Sequence, residues 1–134
     1  MKKLVQTIAH HARVFHSKVR EARKESSRSP KWSSVRDEHL TANPACEACG
    51  GTKNLQVHHK KPFSDFPELE LDPKNLVTLC MGPLECHLRI GHGGSFRHYN
   101  PNLDEDILEV MLRPKHRVEI EARAKKARLD HPPE

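Results

Sequence analysis

Two cysteine pairs bracket a histidine doublet. Cys46-Glu47-Ala48-Cys49 precedes His58-His59, and Cys80 and Cys86 follow it; these are all four cysteines of the chain. Zn²⁺ takes four tetrahedral soft ligands, and a C-x2-C turn brings two thiolates to one ion. Cys80 and Cys86 supply the other two across five residues, a wider gap than the usual spacing, which Gly82-Pro83 can fold back. Gly50-Gly51 permits the positive-φ turns that a thiolate knuckle needs. Four protein ligands leave no position open for water, so this cage holds structure and does no catalysis. A zinc finger built from Cys46, Cys49 and two histidines fits poorly. The gap from Cys49 to His58 is short, and the histidines are adjacent rather than spaced.

The doublet points to a second chemistry. Adjacent residues of a strand face opposite ways, so His58 and His59 divide the labour between a metal and a water molecule. Hydrolysis of a phosphodiester uses that pair of groups. A divalent ion stabilises developing charge, and a neutral imidazole takes the proton of the attacking water. The further ligand must come from elsewhere. His87 directly follows the cage residue Cys86, and His92 lies five residues on. The chain has eleven histidines, and His10, His11, His16, His39, His116 and His131 read as ordinary surface residues.

Short elements must carry these side chains. Leu55–Lys60 and Asn75–Cys80 read as strands, joined by a long loop holding Pro62, Pro67 and Pro73. A short helix over Cys86–Ile90 ends near Gly91. Upstream, Leu4, Ile8, Ala12, Phe15 and Val19 set an amphipathic helix over residues 4–23. Ser26-Ser27-Arg28-Ser29-Pro30 breaks it. A second helix runs from about Lys31 to Ala42, with Trp32, Val35 and Leu40 towards the core and Trp32 as a packing anchor. Downstream, Asn102-Leu103-Asp104-Glu105 has the form of a capping box. It opens a helix carrying Leu103, Ile107, Leu108, Met111 and Leu112. A final helix, begun or kinked at Pro114, is rich in Arg, Lys, Glu and Ala and reads as solvated or partner-facing. Its end at residues 130–134 reads as frayed.

Composition narrows the class. Of 134 residues, 35% are hydrophobic and 31% charged, so the core is small and needs a staple such as a structural metal. No stretch approaches the ~20 apolar residues of a membrane span. Met1-Lys2-Lys3 starts like a signal peptide, but His10, His11 and Arg13 interrupt its apolar run. The expected setting is cytoplasmic and reducing, where paired cysteines serve as metal ligands more than as disulfides. Net charge is +5, yet residues 1–36 carry +8 and the remainder −3. A basic arm before a near-neutral core suits nucleic acid. Aromatics make up only 4%, which favours backbone contact with a duplex over stacking as the main binding mode.

These motifs together resemble the HNH endonuclease family. The resemblance spans about Ser29 to Arg97. It rests on Ser29-Pro30-Lys31-Trp32 with Arg36, on the C-x2-C-Gly knuckle, and on Val57-His58-His59-Lys60 with Pro62. It continues through Asp72-Pro73-Lys74-Asn75-Leu76-Val77-Thr78-Leu79-Cys80 to Cys86-His87. It implies an α+β chain: a small ββα-metal core, two strands and a helix gripping one divalent ion, stapled by the four-cysteine zinc site and flanked by N- and C-terminal helices. It implies that His58 and His87 bind the catalytic ion, Mg²⁺ or Mn²⁺, and that His59 is the general base. Asn75 then either fixes the loop that orients the base or reaches the metal. His92 resembles a further ligand of some members, including the nuclease colicins, where the two histidines stand four apart. Five positions on an α-helix turn by about 500° and leave the two residues about 140° apart. Either the helix ends at Gly91 and His92 swings in, or His92 is not a ligand.

The expected function is therefore a metal-dependent DNA endonuclease that nicks one strand of double-stranded DNA per active site. The resemblance implies 5′-phosphate and 3′-hydroxyl products. Lys60, Lys61, Arg89 and Arg97 are candidate phosphate contacts. No membrane and no small-molecule cofactor are expected, and oligomeric state is open. The organisation reads as a basic helical arm and linker (1–28), a nuclease core (29–100) and a helical extension (101–134). Two rivals keep the same cysteines: a non-catalytic zinc-ribbon module that binds DNA, and an RNA-directed nuclease with the same site.

Overall fold

The strand pair expected from the sequence forms in register. The computed structural model describes residues 28–130. The helix expected over residues 4–23 and the last four residues lie outside the described residues. The chain divides into two units, Met1–Pro30 and Lys31–Glu134. The second, as far as Asp130, contains every element named below.

Strand β1 (Leu55–His59) pairs antiparallel with β2 (Leu76–Cys80), with Leu55 opposite Cys80 and His59 opposite Leu76. All of β2 is buried. Its sequence Leu-Val-Thr-Leu-Cys reads as a continuous apolar run because both faces of this small sheet are covered. Helix α1 (Trp32–Ala42) lies on the His59 side, where the Trp32 and His59 rings stand 4.5 Å apart. A single turn at His87–Gly91 lies on the His58 side, with the His58 and His87 rings 4.9 Å apart. The architecture is thus a small α+β core of the ββα-metal kind.

Helices α2 (Leu103–Leu112) and α3 (Arg117–Asp130) close the core from the C-terminal side, joined through a tight turn at Pro114–His116. Leu79, Ile90, Leu103, Ile107, Val110 and Ile120 meet there. Cys46, Cys80 and Cys86 belong to the same buried cluster, so the staple sits inside the core it supports. The apolar set read from α2 is only partly internal. Leu103 and Ile107 are buried with Val110, whereas Leu108, Met111 and Leu112 face solvent. The final helix is not solvated all round, since Ile120 and Ala124 are buried.

The capping box at Asn102 does not form. Its side chain makes no cap, and its backbone (φ −104°, ψ 25°) is not in the extended conformation that capping requires. Asn100 supplies the polar link instead. Its Oδ1 accepts from Asn102 N–H at 3.0 Å. Its Nδ2 donates to Ile90 O at 3.1 Å and to Asp106 Oδ2 at 2.6 Å. Asp106, itself buried, receives Arg123 Nε from α3 at 3.0 Å. One buried amide thereby ties the end of the His87–Gly91 turn to both terminal helices. Removing it strands a carbonyl and loosens a carboxylate, at about 1–3 kcal/mol for each buried group left unsatisfied. Asn100→Ala is therefore expected to destabilise the protein by about 2–3 kcal/mol. Urea unfolding checks it: an unchanged midpoint refutes the network's role.

Candidate metal centre and hydrolytic site

The sulfur atoms of Cys46, Cys49, Cys80 and Cys86 all lie within 4.8 Å of one another. Local sequence builds the knuckle. Cys46 N–H donates to Gly51 O at 2.7 Å, Gly50 N–H returns to Cys46 O at 2.8 Å, and Gly50 sits at φ +76°. Only glycine takes that conformation at no steric cost. Glu47 anchors the knuckle to β2, accepting from Thr78 N–H at 2.7 Å. The wide loop between Cys80 and Cys86 does fold back. Met81 N–H donates to Asn54 O at 2.7 Å, and Arg117 of α3 donates to Leu84 O at 2.6 Å. Arg117 also reaches Cys86 Sγ at 3.2 Å. None of the four is in a disulfide. Four sulfurs, three of them fully buried, suit a closed tetrahedral zinc site.

The second cluster is His58, His87 and His92, one ligand atom from each within 4.8 Å of the others. The sequence left His92 between two alternatives, and the backbone bears directly on them. Residues 87–91 form a π turn, closed by His92 N–H to His87 O at 3.0 Å. Such a turn bonds residue i to i+5, so it brings positions five apart onto one side where an α-helix would splay them. The His87 and His92 rings stand 4.9 Å apart, and each lies within 5 Å of His58 (4.9 and 4.6 Å). Gly91 makes room for this approach: a Cβ there would lie 3.1 Å from Leu79 Cδ1 and 3.4 Å from the His58 ring.

Hydrogen bonds fix the ring tautomers. His92 Nδ1 meets His98 O at 2.5 Å, and a carbonyl only accepts, so Nδ1 carries the proton. His87 Nδ1 meets Gln56 Oε1 at 3.0 Å in the same sense. The Nε2 lone pairs of both rings then face each other at 3.1 Å. His58 Nε2 is buried without a hydrogen-bond partner. The facing lone pairs of His87 and His92 repel each other unless a cation stands between them, and His58 lies beside them, so these residues fit a divalent ion. The rings are also held neutral. Burial, then His92, draws His87 down to about 4. Burial, then the charges of His92, His87 and His59, puts His58 well below its ordinary range. Burial lowers His92, against the pull of the His98 carbonyl.

His59 points to the other face, as strand alternation requires. Its Nε2 donates to the Glu70 carbonyl at 3.0 Å, which leaves Nδ1 as the basic nitrogen of the neutral ring. Asn75 is buried and fully engaged. Its Oδ1 accepts from Lys61 N–H at 2.8 Å, and its Nδ2 donates to Lys61 O at 3.0 Å and Leu69 O at 3.2 Å. These bonds tie Lys61 to the loop ahead of Glu70. Asn75 clamps the residue before Glu70 and therefore the carbonyl that orients His59.

The candidate phosphate contacts are dispersed. Lys60 pairs with Asp104 at 2.9 Å. Lys61 Nζ lies 5.4 Å over the Phe66 ring. Arg89 pairs with Glu85 at 3.1 Å and Glu121 at 3.8 Å. Arg97 is exposed, in the loop that follows His92. A cleft of about 490 Å³ beside Lys60, Lys61 and Asn75 contains none of the three clustered histidines, so it is not the metal centre. Sequence reasoning missed Gln56, the Glu70 carbonyl and the His98 carbonyl. Only Gln56 carried a signal, standing two residues before His58 and so on the same face of β1. Of the histidines read as surface residues, His39 is half-buried, with its Nε2 enclosed.

Two outcomes follow from this geometry. Stripping the tightly held zinc, expected at about one per chain, should abolish cooperative unfolding followed by circular dichroism; a sharp, unchanged transition after verified metal loss refutes the cage. The histidines give a pH signature. Their folded values lie below the ordinary 6.5, so the unfolded chain takes up protons first on acidification. With the histidine cluster metal-free, stability is full above about pH 6.5 and falls as pH drops towards 4, on the order of 3 kcal/mol from His87. Urea midpoints across that window should flatten in His87→Gln; equal slopes in both proteins contradict the assignment.

Comparison with known proteins agrees with this layout. Residues 46–93, which hold all four cysteines, the histidine doublet, His87 and His92, match the family model described as HNH endonuclease. No curated protein and no solved structure gives a match.

Proposed function

From an HNH endonuclease domain at residues 46–93, we propose that this chain hydrolyses phosphodiester bonds of double-stranded DNA, one strand per site. The observation that carries the reading is the convergence of the His58, His87 and His92 imidazoles, two of them buried and the third half-buried, on one side of β1 while His59 stands on the other.

His58, His87 and His92 would hold the divalent ion. A bound ion supplies Lewis-acid stabilisation of the phosphate and the leaving oxygen. Of Mg²⁺ and Mn²⁺, the softer Mn²⁺ suits an all-imidazole set better, and later first-row ions bind it more tightly still. Gln56 and the His98 carbonyl keep His87 and His92 in the metal-binding tautomer, a role that outer hydrogen bonds commonly serve.

His59 acts as the general base. The Glu70 carbonyl holds its Nε2 proton, so the proton of the attacking water goes to Nδ1. The imidazolium that results keeps the same hydrogen bond, so the ring need not turn during the step. Trp32 packs on one side of that ring, and Asn75 secures the loop bearing the carbonyl. Asn75 is thus a positioning residue. Lys60, Lys61, Arg89 and Arg97 remain proposed phosphate contacts, with Lys60 exchanging Asp104 for the backbone when DNA binds. Residues 1–28 are the proposed basic arm along the duplex. No helix among the described residues is long and apolar enough to cross a membrane, and the proposed setting is the cytoplasm.

The test is conversion of supercoiled plasmid to open circles with Mn²⁺. His59→Ala is expected to slow nicking by at least ~100-fold, the usual worth of a general base, while binding DNA as well as wild type. Equal nicking by the two proteins removes His59 from the mechanism. Binding without cleavage under any divalent ion leaves a DNA-binding zinc module, and faster cleavage of structured RNA redirects the substrate.

A further inference from the structure

The rim of the histidine cluster carries an aromatic residue that this mechanism does not use. Phe96 lies in the loop after His92 and is 55% exposed. Its ring centroid is nevertheless only 5.0 Å from His92 and 5.7 Å from His87, edge-on to the latter at 84°. An exposed phenyl would be unremarkable alone. This one is held against two candidate ligands of the metal centre.

The loop is built to hold it there. Gly93 and Gly94 take φ of +59° and +90°. Gly94 N–H donates to Leu88 O at 2.8 Å, His98 N–H to Ser95 O at 3.0 Å, and Asn100 N–H to Gly91 O at 3.1 Å. A Cβ on Gly93 would lie 2.7 Å from Ala124 O, so the loop seats directly on α3. Both ends of the segment are therefore fixed, and the His98 carbonyl that orients His92 belongs to the same segment. Arg97 comes next. It is exposed, it is the one Lys, Arg, Asp or Glu of residues 93–99, and it makes no ion pair among the described residues.

We propose that Phe96 and Arg97 form a nucleotide subsite: Phe96 packs on the base next to the scissile phosphate, and Arg97 contacts a neighbouring phosphate. The proposal rests on the hydrolytic reading above. A phosphate drawn to the cluster brings its own sugar and base to the same rim, where Phe96 presents an exposed ring. Ring-on-base packing is tolerant of sequence, because every base has a π face. In a duplex the base must partly unstack, which costs least at pyrimidine–purine steps. Cleavage should therefore favour those steps without a fixed recognition sequence. A chain poor in aromatics would then use one of them where it counts.

The experiment compares wild type, Phe96→Ala, Phe96→Leu and Phe96→Tyr in full-length, Mn²⁺-loaded protein. Cleavage kinetics and affinity are read on short duplexes, some with a single abasic position walked past the cut. Phe96→Ala should raise KM about tenfold with kcat nearly unchanged, the pattern of lost uniform binding. Phe96→Tyr should restore KM and Phe96→Leu should not. An abasic position beside the cut should erase the difference between wild type and Phe96→Ala, and mapped wild-type cuts should fall mainly at pyrimidine–purine steps. Equal KM for wild type and Phe96→Ala overturns the subsite. So does loss of the bound ion from Phe96→Ala, measured by metal analysis, since the ring would then only shield the ion. If wild type binds DNA but never cuts it, the hydrolytic reading fails separately. The affinity ratio of wild type to Phe96→Ala then decides the subsite, and equal affinities overturn it.

Discussion

One peptide bond joins the two clusters. Cys86 belongs to the sulfur cage and His87 to the imidazole set, so whatever fixes the first fixes the second. Cys86 is fully buried, and Arg117 reaches its sulfur from α3. The π turn that carries His87 and His92 therefore begins from a point held by three other thiols and a guanidinium. The apolar core is small, and residues such as Leu79 and Ile90 could not alone hold imidazole nitrogens to the tolerance that metal coordination demands. Zinc in the cage would supply that rigidity, and α3 contributes through Arg117 although it bears no residue of the site.

The π turn shows how a departure in spacing can be absorbed by backbone geometry. Five residues separate His87 from His92, and a regular α-helix would point them apart. Widening the turn to an i→i+5 bond realigns them. Such a bulge is costly in isolation, so other contacts must stabilise it. Asn100 takes up two of the turn's last carbonyls, those of Ile90 and Gly91. Gly91 lets the sheet come close enough for His58 to complete the trio. The buried amide, the glycine and the bulge thus form one device, spread along the chain from His87 to Asn100.

Side-chain chemistry was the legible part of this chain. Cysteine pairs announce a soft metal, and the alternation of a strand is enough by itself to separate His58 from His59. The β1–β2 pairing followed from two apolar runs either side of a proline-rich loop. Backbone groups left no such trace. The Glu70 carbonyl that orients His59 could belong to any residue at that point of the loop, and so could the His98 carbonyl behind His92. The failed cap at Asn102 has a related cause. Asn100 and Asn102 both offer an amide near the start of α2, and only the tertiary position of Ile90 and Asp106 decides which is used. Leu108, Met111 and Leu112 follow a helical period as well as the buried residues do, and local pattern does not reveal which part of an apolar face the core covers.

Charge divides the two centres as sharply as geometry does. Four thiolates around a divalent ion make an anionic site, which the Arg117 guanidinium partly offsets. Three neutral imidazoles would leave the charge of a second ion uncompensated, because the described residues of the cluster include no carboxylate. Burial reinforces this by holding the rings unprotonated, so no competing proton charge sits where the ion belongs. The remaining position of such an ion is open to water or to an anionic substrate. A phosphodiester carries one negative charge at rest and more at its transition state, so an uncompensated ion favours the second over the first, which is the condition for catalysis rather than mere binding. A carboxylate among the ligands would have lessened that difference. The lack of acidic ligands among the described residues of this cluster thus suits the proposed hydrolysis.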